Sequence, residues 1–101
     1  MDTIRSSSWF TVNQAVRVSV DERNYPEFTG QMIELSTRGI RLRADRPLLL
    51  GTAVELSWNE TALSGEVRRC IETESDFLVE CELLGNVRQK RRAKTSVARS
   101  V

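Results

Sequence analysis

The sequence predicts an all-β fold, a small antiparallel barrel or sandwich, and three observations carry that prediction. Apolar residues recur at every second position through most of the chain, which is the period of a half-buried strand. Six such stretches follow one another at spacings of about 8–12 residues, the rhythm of all-β domains. No amphipathic stretch of helical length occurs before residue 84, which leaves a βαβ or doubly wound arrangement without support. At 101 residues the chain has material for one domain around one core.

The elements read in order. AVRVSVD sets Val16, Val18 and Val20 on one face and Arg17 and Ser19 on the other. DERNYPEFTG is turn-rich, with Pro26 and Gly30 as punctuation and Tyr25 and Phe28 as turn aromatics. QMIEL is the second strand, with Ile33 and Leu35 on its apolar face. After a turn over Ser36–Gly39, GIRLRAD sets Ile40 and Leu42 opposite Arg41 and Arg43. RPLLLG is a short apolar connector, because Pro47 is poorly placed inside a strand and Gly51 marks a tight turn. VELSW is the fourth strand, with Val54, Leu56 and Trp58 on one face.

A turn at Asn59–Thr61 leads into ALSGEVRRCIE, where Gly65 marks a bulge or bend. TESD then turns the chain into FLVECELL, whose Phe77, Val79, Cys81 and Leu83 share a face. A turn centred on Ser75-Asp76 places Cys70 and Cys81 nearly opposite, within reach of a disulfide. In a reducing compartment they are expected to stay thiols.

Composition removes several function classes. The chain has no histidine and two cysteines, so Ser-His-Asp and Cys-His nucleophiles, a zinc site and a disulfide framework are not expected. Glu72, Glu74 and Asp76 crowd one hairpin turn, where exposure keeps carboxylates ordinary and poor as general acids at neutral pH. The reading is therefore no enzyme, no metal and no cofactor. No apolar run spans a bilayer, and MDTIRSSSWF lacks the basic and apolar regions of a secretory signal. That makes the cytoplasm the expected location.

Charge is split. Residues 1–85 carry nine Arg against fourteen Asp or Glu, while residues 86–101 carry six basic residues and no acid. A basic tail on an acidic body points to a partner for the tail, or to a tail that folds back. Over 86–101 the tail is either a short basic helix, with Asn86 as its cap, or a disordered end. The KRRAK run also allows a small barrel that binds nucleic acid through the tail. Against that, the body is acidic and its aromatics are not interleaved with basic residues.

The turn Glu34-Leu35-Ser36-Thr37-Arg38-Gly39 carries the chemistry. A carboxylate, a hydroxyl and a glycine between two strands make a compact polar ledge, with Gly39 allowing a positive φ. A capped hairpin turn has the same composition. The order of the strands around this turn resembles the PilZ family over residues 5–85. The Gly39-Ile40 pair and the Gly51-Thr-Ala-Val-Glu-Leu segment are similar to it too.

That resemblance implies a six-stranded antiparallel PilZ-like β-barrel that binds cyclic di-GMP through two motifs, RxxxR before the first strand and [D/N]xSxxG after the second. Ser36 and Gly39 match the second motif, and Glu34 stands where the family has Asp or Asn. The first motif falls on Arg5-Ser6-Ser7-Ser8-Trp9, keeping Arg5 and replacing the second arginine by Trp9. A guanidinium grips guanine O6/N7 or a phosphate, whereas an indole supplies one donor and a stacking face. The lost contact corresponds to roughly 1.5–3 kcal/mol.

The implied ligand site is Arg5, Trp9, Glu34, Ser36 and Gly39. Arg38 and Arg41, and less directly Arg17 and Arg43, are candidates to replace the missing guanidinium. Trp9 and Phe10, beside Val12, have a plainer role as a plug over one barrel mouth. The implied organisation is a leader over 1–14, a barrel over 15–85 and a basic tail over 86–101. The implied function is a non-catalytic bacterial signalling receptor or adaptor with a regulated protein partner. The alternatives are a degenerate domain that binds protein alone, and the nucleic-acid barrel.

Overall fold

A computed structural model describes residues 8–22 and 24–86. The described chain contains six strands: β1 (Phe10–Val20), β2 (Phe28–Leu35), β3 (Gly39–Ala44), β4 (Ala53–Trp58), β5 (Thr61–Glu72) and β6 (Phe77–Asn86). They close into a barrel in the order β1-β2-β3-β6-β5-β4, and every pairing is antiparallel. Closure of the ring decides between barrel and sandwich. It also pairs most of the strand edges that an open sheet would expose.

The barrel lumen is filled by the inward residues that alternation predicts. Val16, Val18, Ile40, Leu42, Val54, Leu56, Val67, Val79 and Cys81 are all buried in one core. The connector after β3 crosses one barrel end and drops Leu48 into that core, leaving Leu49 and Leu50 exposed. Gly51 ends this connector at φ 86°, a conformation that costs glycine nothing.

Three expectations from the sequence are corrected. First, the stretch before residue 31 is not all turn: β2 begins at Phe28, which is buried against the core, as is Gly30. A Cβ at Gly30 would lie 2.9 Å from the Arg43 carbonyl oxygen, so glycine is required there by close strand approach and not by a turn. Second, the inward face of β2 runs Phe28, Gly30, Met32 and then Leu35. Ile33 is not on that face, because a bulge between Met32 and Glu34 breaks the alternation. Third, Cys70 opposes Val79 and Cys81 opposes Val67, so the two thiols are not partners. The hairpin turn is centred earlier than Ser75-Asp76, with Glu72 opposite Phe77, and β5 carries a bulge between Val67 and Arg69.

The bend expected at Gly65 is present as a register shift at Ser64/Gly65. Asn86 is the last residue of β6, paired with Leu63, and so is not a helix cap. The rest of the basic tail lies outside the described residues. Among the described residues, no helix is long and apolar enough to cross a membrane.

Candidate functional site

The site is built by a row of residues on the outer wall of the barrel. In register across adjacent strands, Thr11 of β1 opposes Glu34 of β2, Glu34 opposes Arg41 of β3, Arg41 opposes Glu80 of β6, and Glu80 opposes Arg69 of β5. From Glu34 onward the row alternates acid and base, the arrangement that cross-strand neighbours favour. Two bulges create it. Strict alternation from Met32 would point Glu34 inward, and from Val67 would point Arg69 inward. The extra residues Ile33 and Arg68 turn both charges out.

Arg41 is the centre of the row. Its Nη1 donates to Glu34 Oε1 at 2.7 Å and its Nε donates to Glu80 Oε1 at 3.2 Å. Burial alone would lower the Arg41 pKa. The hydrogen bonds and charges of Glu34 and Glu80 outweigh it and raise the pKa, so this guanidinium stays charged. Glu80 is only 5% exposed. A carboxylate so covered needs a cationic partner, and Arg41 is that partner. Glu34 and Arg41 are both about one-third exposed or less, with side-chain values of 32% and 26%, so a ligand can still reach them.

Trp9 lies over this row. The Arg41 guanidinium carbon is 3.9 Å from the indole ring centre, a stacked cation–π contact. Trp9 is half-buried and is not among the residues of the barrel core. Phe10, the next residue, opposes Leu35 in β1–β2 pairing and is 65% exposed. Neither aromatic is therefore a plug in the barrel mouth. The chain enters β1 beside the β2–β3 turn, which puts Trp9 and that turn at one end of the barrel.

The turn itself is organised by Ser36. Its Oγ accepts from the backbone N–H of Gly39 at 3.0 Å and of Arg38 at 3.2 Å, and its own N–H donates to the Gly39 carbonyl at 2.9 Å. The Ser36 side chain is buried, so its hydroxyl builds the ledge and leaves the exposed face to its neighbours. Gly39 is buried at the start of β3. It is not among the positive-φ residues of the described chain, which are Asn24, Asn59 and Gly51. The left-handed turn glycine expected there is instead an extended residue, opposite Glu82. Arg38 is exposed at the tip, with no ion pair among the described residues.

Of the four arginines considered as substitutes for a leader guanidinium, Arg41 stands in the site and Arg38 beside it. Arg17 pairs with Glu27 at 3.7 Å, and Arg43 pairs with Asp76 at 3.1 Å towards the other end of β3. Arg5 lies outside the described residues. Glu80 was missed by sequence reasoning. Its signal was present, since a glutamate on the outer face of a central strand opposite an arginine implies a pair, but the register was not legible. Two grooves lie elsewhere. One of about 520 Å³ is lined by Pro47, Leu49, Leu50, Arg69 and Ile71 among others, and one of about 320 Å³ by Ala15, Arg17, Thr29 and Trp58 among others. Among the described residues, no cluster of His, Cys, Asp or Glu can hold a metal.

Comparison with known proteins accords with this geometry. The sequence matches the family model described as PilZ domain over residues 3–98. The fold resembles the structure of the Bacillus subtilis inhibitor of motility MotI/DgrA, with a TM-score of 0.64 and 14% identity, covering 95% of this chain and 51% of that one. It also resembles the K. pneumonia MrkH–c-di-GMP complex, with a TM-score of 0.55 and 14% identity, covering 91% of this chain and 49% of that one. The chain thus spans about half the length of each of these proteins. No curated protein sequence matches it.

Proposed function

Because the chain belongs to the PilZ domain family, we propose that it is a non-catalytic, cytoplasmic cyclic di-GMP receptor or adaptor whose protein-interaction surface changes when ligand binds. The observation that carries the reading is the convergence of two segments. Trp9, in the leader, lies on Arg41, which also bonds Glu80 and Glu34, the latter at the foot of the Ser36–Gly39 turn. In this reading the leader and the turn share one ligand site at that end of the barrel, on its outer wall.

Each residue has a role in that reading. Trp9 presents an aromatic face on which a base stacks. Glu34 accepts from base N–H groups. Ser36 and Gly39 hold the ledge, and Arg38 offers an exposed guanidinium to a phosphate. Arg5, four residues before Trp9, adds a second guanidinium from the leader. Ordering the leader against the barrel then converts ligand concentration into a new surface for a partner, an order–disorder switch. The MrkH structure, a complex with c-di-GMP, supports the ligand class.

Calorimetric titration with cyclic di-GMP tests this. The expected result is saturable binding that Arg5→Ala weakens by about tenfold or more, the loss of one charge-assisted contact. A second reading, a barrel that binds protein alone, is favoured by one observation. Trp9 replaces the motif arginine, and Arg41 is already held by two carboxylates. Absence of heat at ~100 μM ligand, where binding would still be worth about −5 kcal/mol, selects that second reading.

A further inference from the structure

We infer that the last turn-ward stretch of β5 is a self-association edge: a second copy of this chain pairs antiparallel with Cys70–Glu72, about a two-fold axis through Ile71. This surface is separate from the ligand site above. It lies beside Phe77–Val79, at the opposite end of β3 from the Ser36–Gly39 turn.

The barrel leaves β5 bare here. β4 pairs with β5 only over Thr61–Glu66. The connector then takes over at Val67, whose N–H donates to the Thr52 carbonyl and whose carbonyl accepts from the Gly51 N–H. Beyond Val67, β5 has β6 on one side and no strand on the other. The Thr73 N–H donates to the Asp76 carbonyl, which marks these two as a hydrogen-bonded pair. Antiparallel alternation makes Ile71 and Leu78 the next such pair, and so turns the N–H and C=O groups of Cys70 and Glu72 away from β6. Among the described residues nothing pairs with those groups. Such an edge is a template for a further strand.

The adjoining surface is apolar. Leu49, Leu50 and Ile71 are exposed, and with Pro47, Cys70 and Phe77 they line the groove of about 520 Å³ that borders this edge. Contiguous exposed apolar surface of this kind marks a contact site. An extended segment fits it, pairing its backbone with β5 and covering the leucines with its side chains.

The order of charges selects the occupant. Residues 68–74 read Arg-Arg-Cys-Ile-Glu-Thr-Glu, basic at one end, apolar in the middle and acidic at the other. An antiparallel copy centred on Ile71 sets Arg68 opposite Glu74 of the second copy. It sets Arg69 opposite Thr73, between Glu72 and Glu74, and symmetry repeats both matches. Arg69, Glu72 and Glu74 make no ion pair among the described residues of their own chain.

Backbone direction requires the same register. Cys70 and Glu72 both turn their groups outward, so each meets the other across the axis and exchanges both hydrogen bonds, while Ile71 packs on its twin. A slip of one residue would set outward groups against inward ones. The basic run over 86–101 lacks the acidic half. Laid on this edge, it would bring like charge to Arg68 and Arg69.

Sedimentation velocity of the full chain over a concentration series tests this, together with cross-linking. The wild type is expected to form a reversible dimer. Glu72→Pro removes an outward N–H without touching the β5–β6 ladder, and should raise the dissociation constant by about tenfold or more. Ile71→Cys, in a Cys70→Ser background, reports the register. Its two copies face each other in a non-hydrogen-bonded pair with Cα atoms about 4.5 Å apart, within the span of a disulfide. Under mild oxidation it should link at least about tenfold faster than Leu84→Cys in the same background, the gain of a preformed encounter; Leu84 is exposed on β6 away from this edge. A wild type that stays monomeric up to ~1 mM overturns the inference and leaves the edge to the tail or to a strand of another protein. A dimer that Glu72→Pro leaves intact, or in which Ile71→Cys links no faster than Leu84→Cys, overturns it by placing the contact elsewhere. If Glu72→Pro fails to fold, the cross-linking rates decide alone. Each outcome is independent of cyclic di-GMP binding.

Discussion

The guanidinium of Arg41 is sandwiched edge and face: Trp9 covers its plane at 3.9 Å, while Glu80, nearly inaccessible to solvent, holds its Nε at 3.2 Å. One side chain thus joins the leader to β6 through β3. Stability and ligand chemistry are consequently coupled at this position.

Removing Arg41 strands Glu80. Arg41→Ala is expected to destabilise the barrel by about 2 kcal/mol, less than the ~3–5 kcal/mol of a fully buried pair because Arg41 itself is partly solvated. The double variant Arg41→Ala/Glu80→Gln should recover part of the loss, since no uncompensated charge then remains. Urea unfolding midpoints measure both. A double variant weaker than the single one would show that the carboxylate is stabilised by something other than Arg41.

Ser36 is expected to matter for the turn even in the absence of ligand. Ser36→Ala leaves the Gly39 and Arg38 N–H groups without the acceptor they now share, at a cost of about 1–3 kcal/mol. The midpoint of thermal unfolding should fall accordingly. An unchanged midpoint would mean that water serves the turn equally well.

Glycines at the strand crossings differ sharply from one another. A Cβ added at Gly30 or Gly65 would sit 2.9 Å from a carbonyl oxygen, of Arg43 and Glu82 respectively, whereas one at Gly85 would meet only Ser64 Oγ at 3.7 Å. Gly30→Ala and Gly65→Ala should each cost about 1–3 kcal/mol through backbone displacement. Gly85→Ala should be close to neutral. Chemical denaturation of the three single variants gives the ranking.

Cysteine chemistry should separate the two thiols. Burial, with added repulsion from Glu80 and Cys70, pushes the Cys81 thiol up from 9.0 to about 12. Cys81 should therefore resist thiol reagents in the native state, while half-buried Cys70 reacts first. The sign for stability follows from the raised pKa. The neutral thiol's contribution is intact below pH 9 and declines as pH rises from there towards 12, because the unfolded chain ionises first. Cys81→Ala should flatten that alkaline decline, as read from urea midpoints at neutral and alkaline pH.

Much of the fold was legible because burial in a barrel imposes a period of two. Val16, Val18, Ile40, Leu42, Val54, Leu56 and Val79 were placed inward from alternation alone, and the structure buries each. The connector at Pro47–Gly51 and the irregularity at Gly65 followed from residues whose backbone chemistry is local. The structure lays Trp9 on Arg41 of β3, while Arg5, around which the leader was expected to meet the turn, lies outside the described residues. The inward face of β2, the pairing of the two thiols and the conformation of Gly39 were misread. Each depends on the partner strand rather than on the residue's neighbours in sequence.

The chain of amino acids by itself determined which residues seek the interior, where turns fall and which polar groups cluster around Glu34–Gly39, since hydrophobicity and backbone preference belong to the residue. Only the closed barrel decided that Glu34, Arg41, Glu80 and Arg69 form one row beneath Trp9. A bulge adds one residue to one strand and reverses every later side chain relative to its partner. Local sequence carries no mark of whether Ile33 or Arg68 will be that residue. The choice is made by the register that best pairs charges and fills the core across three strands at once.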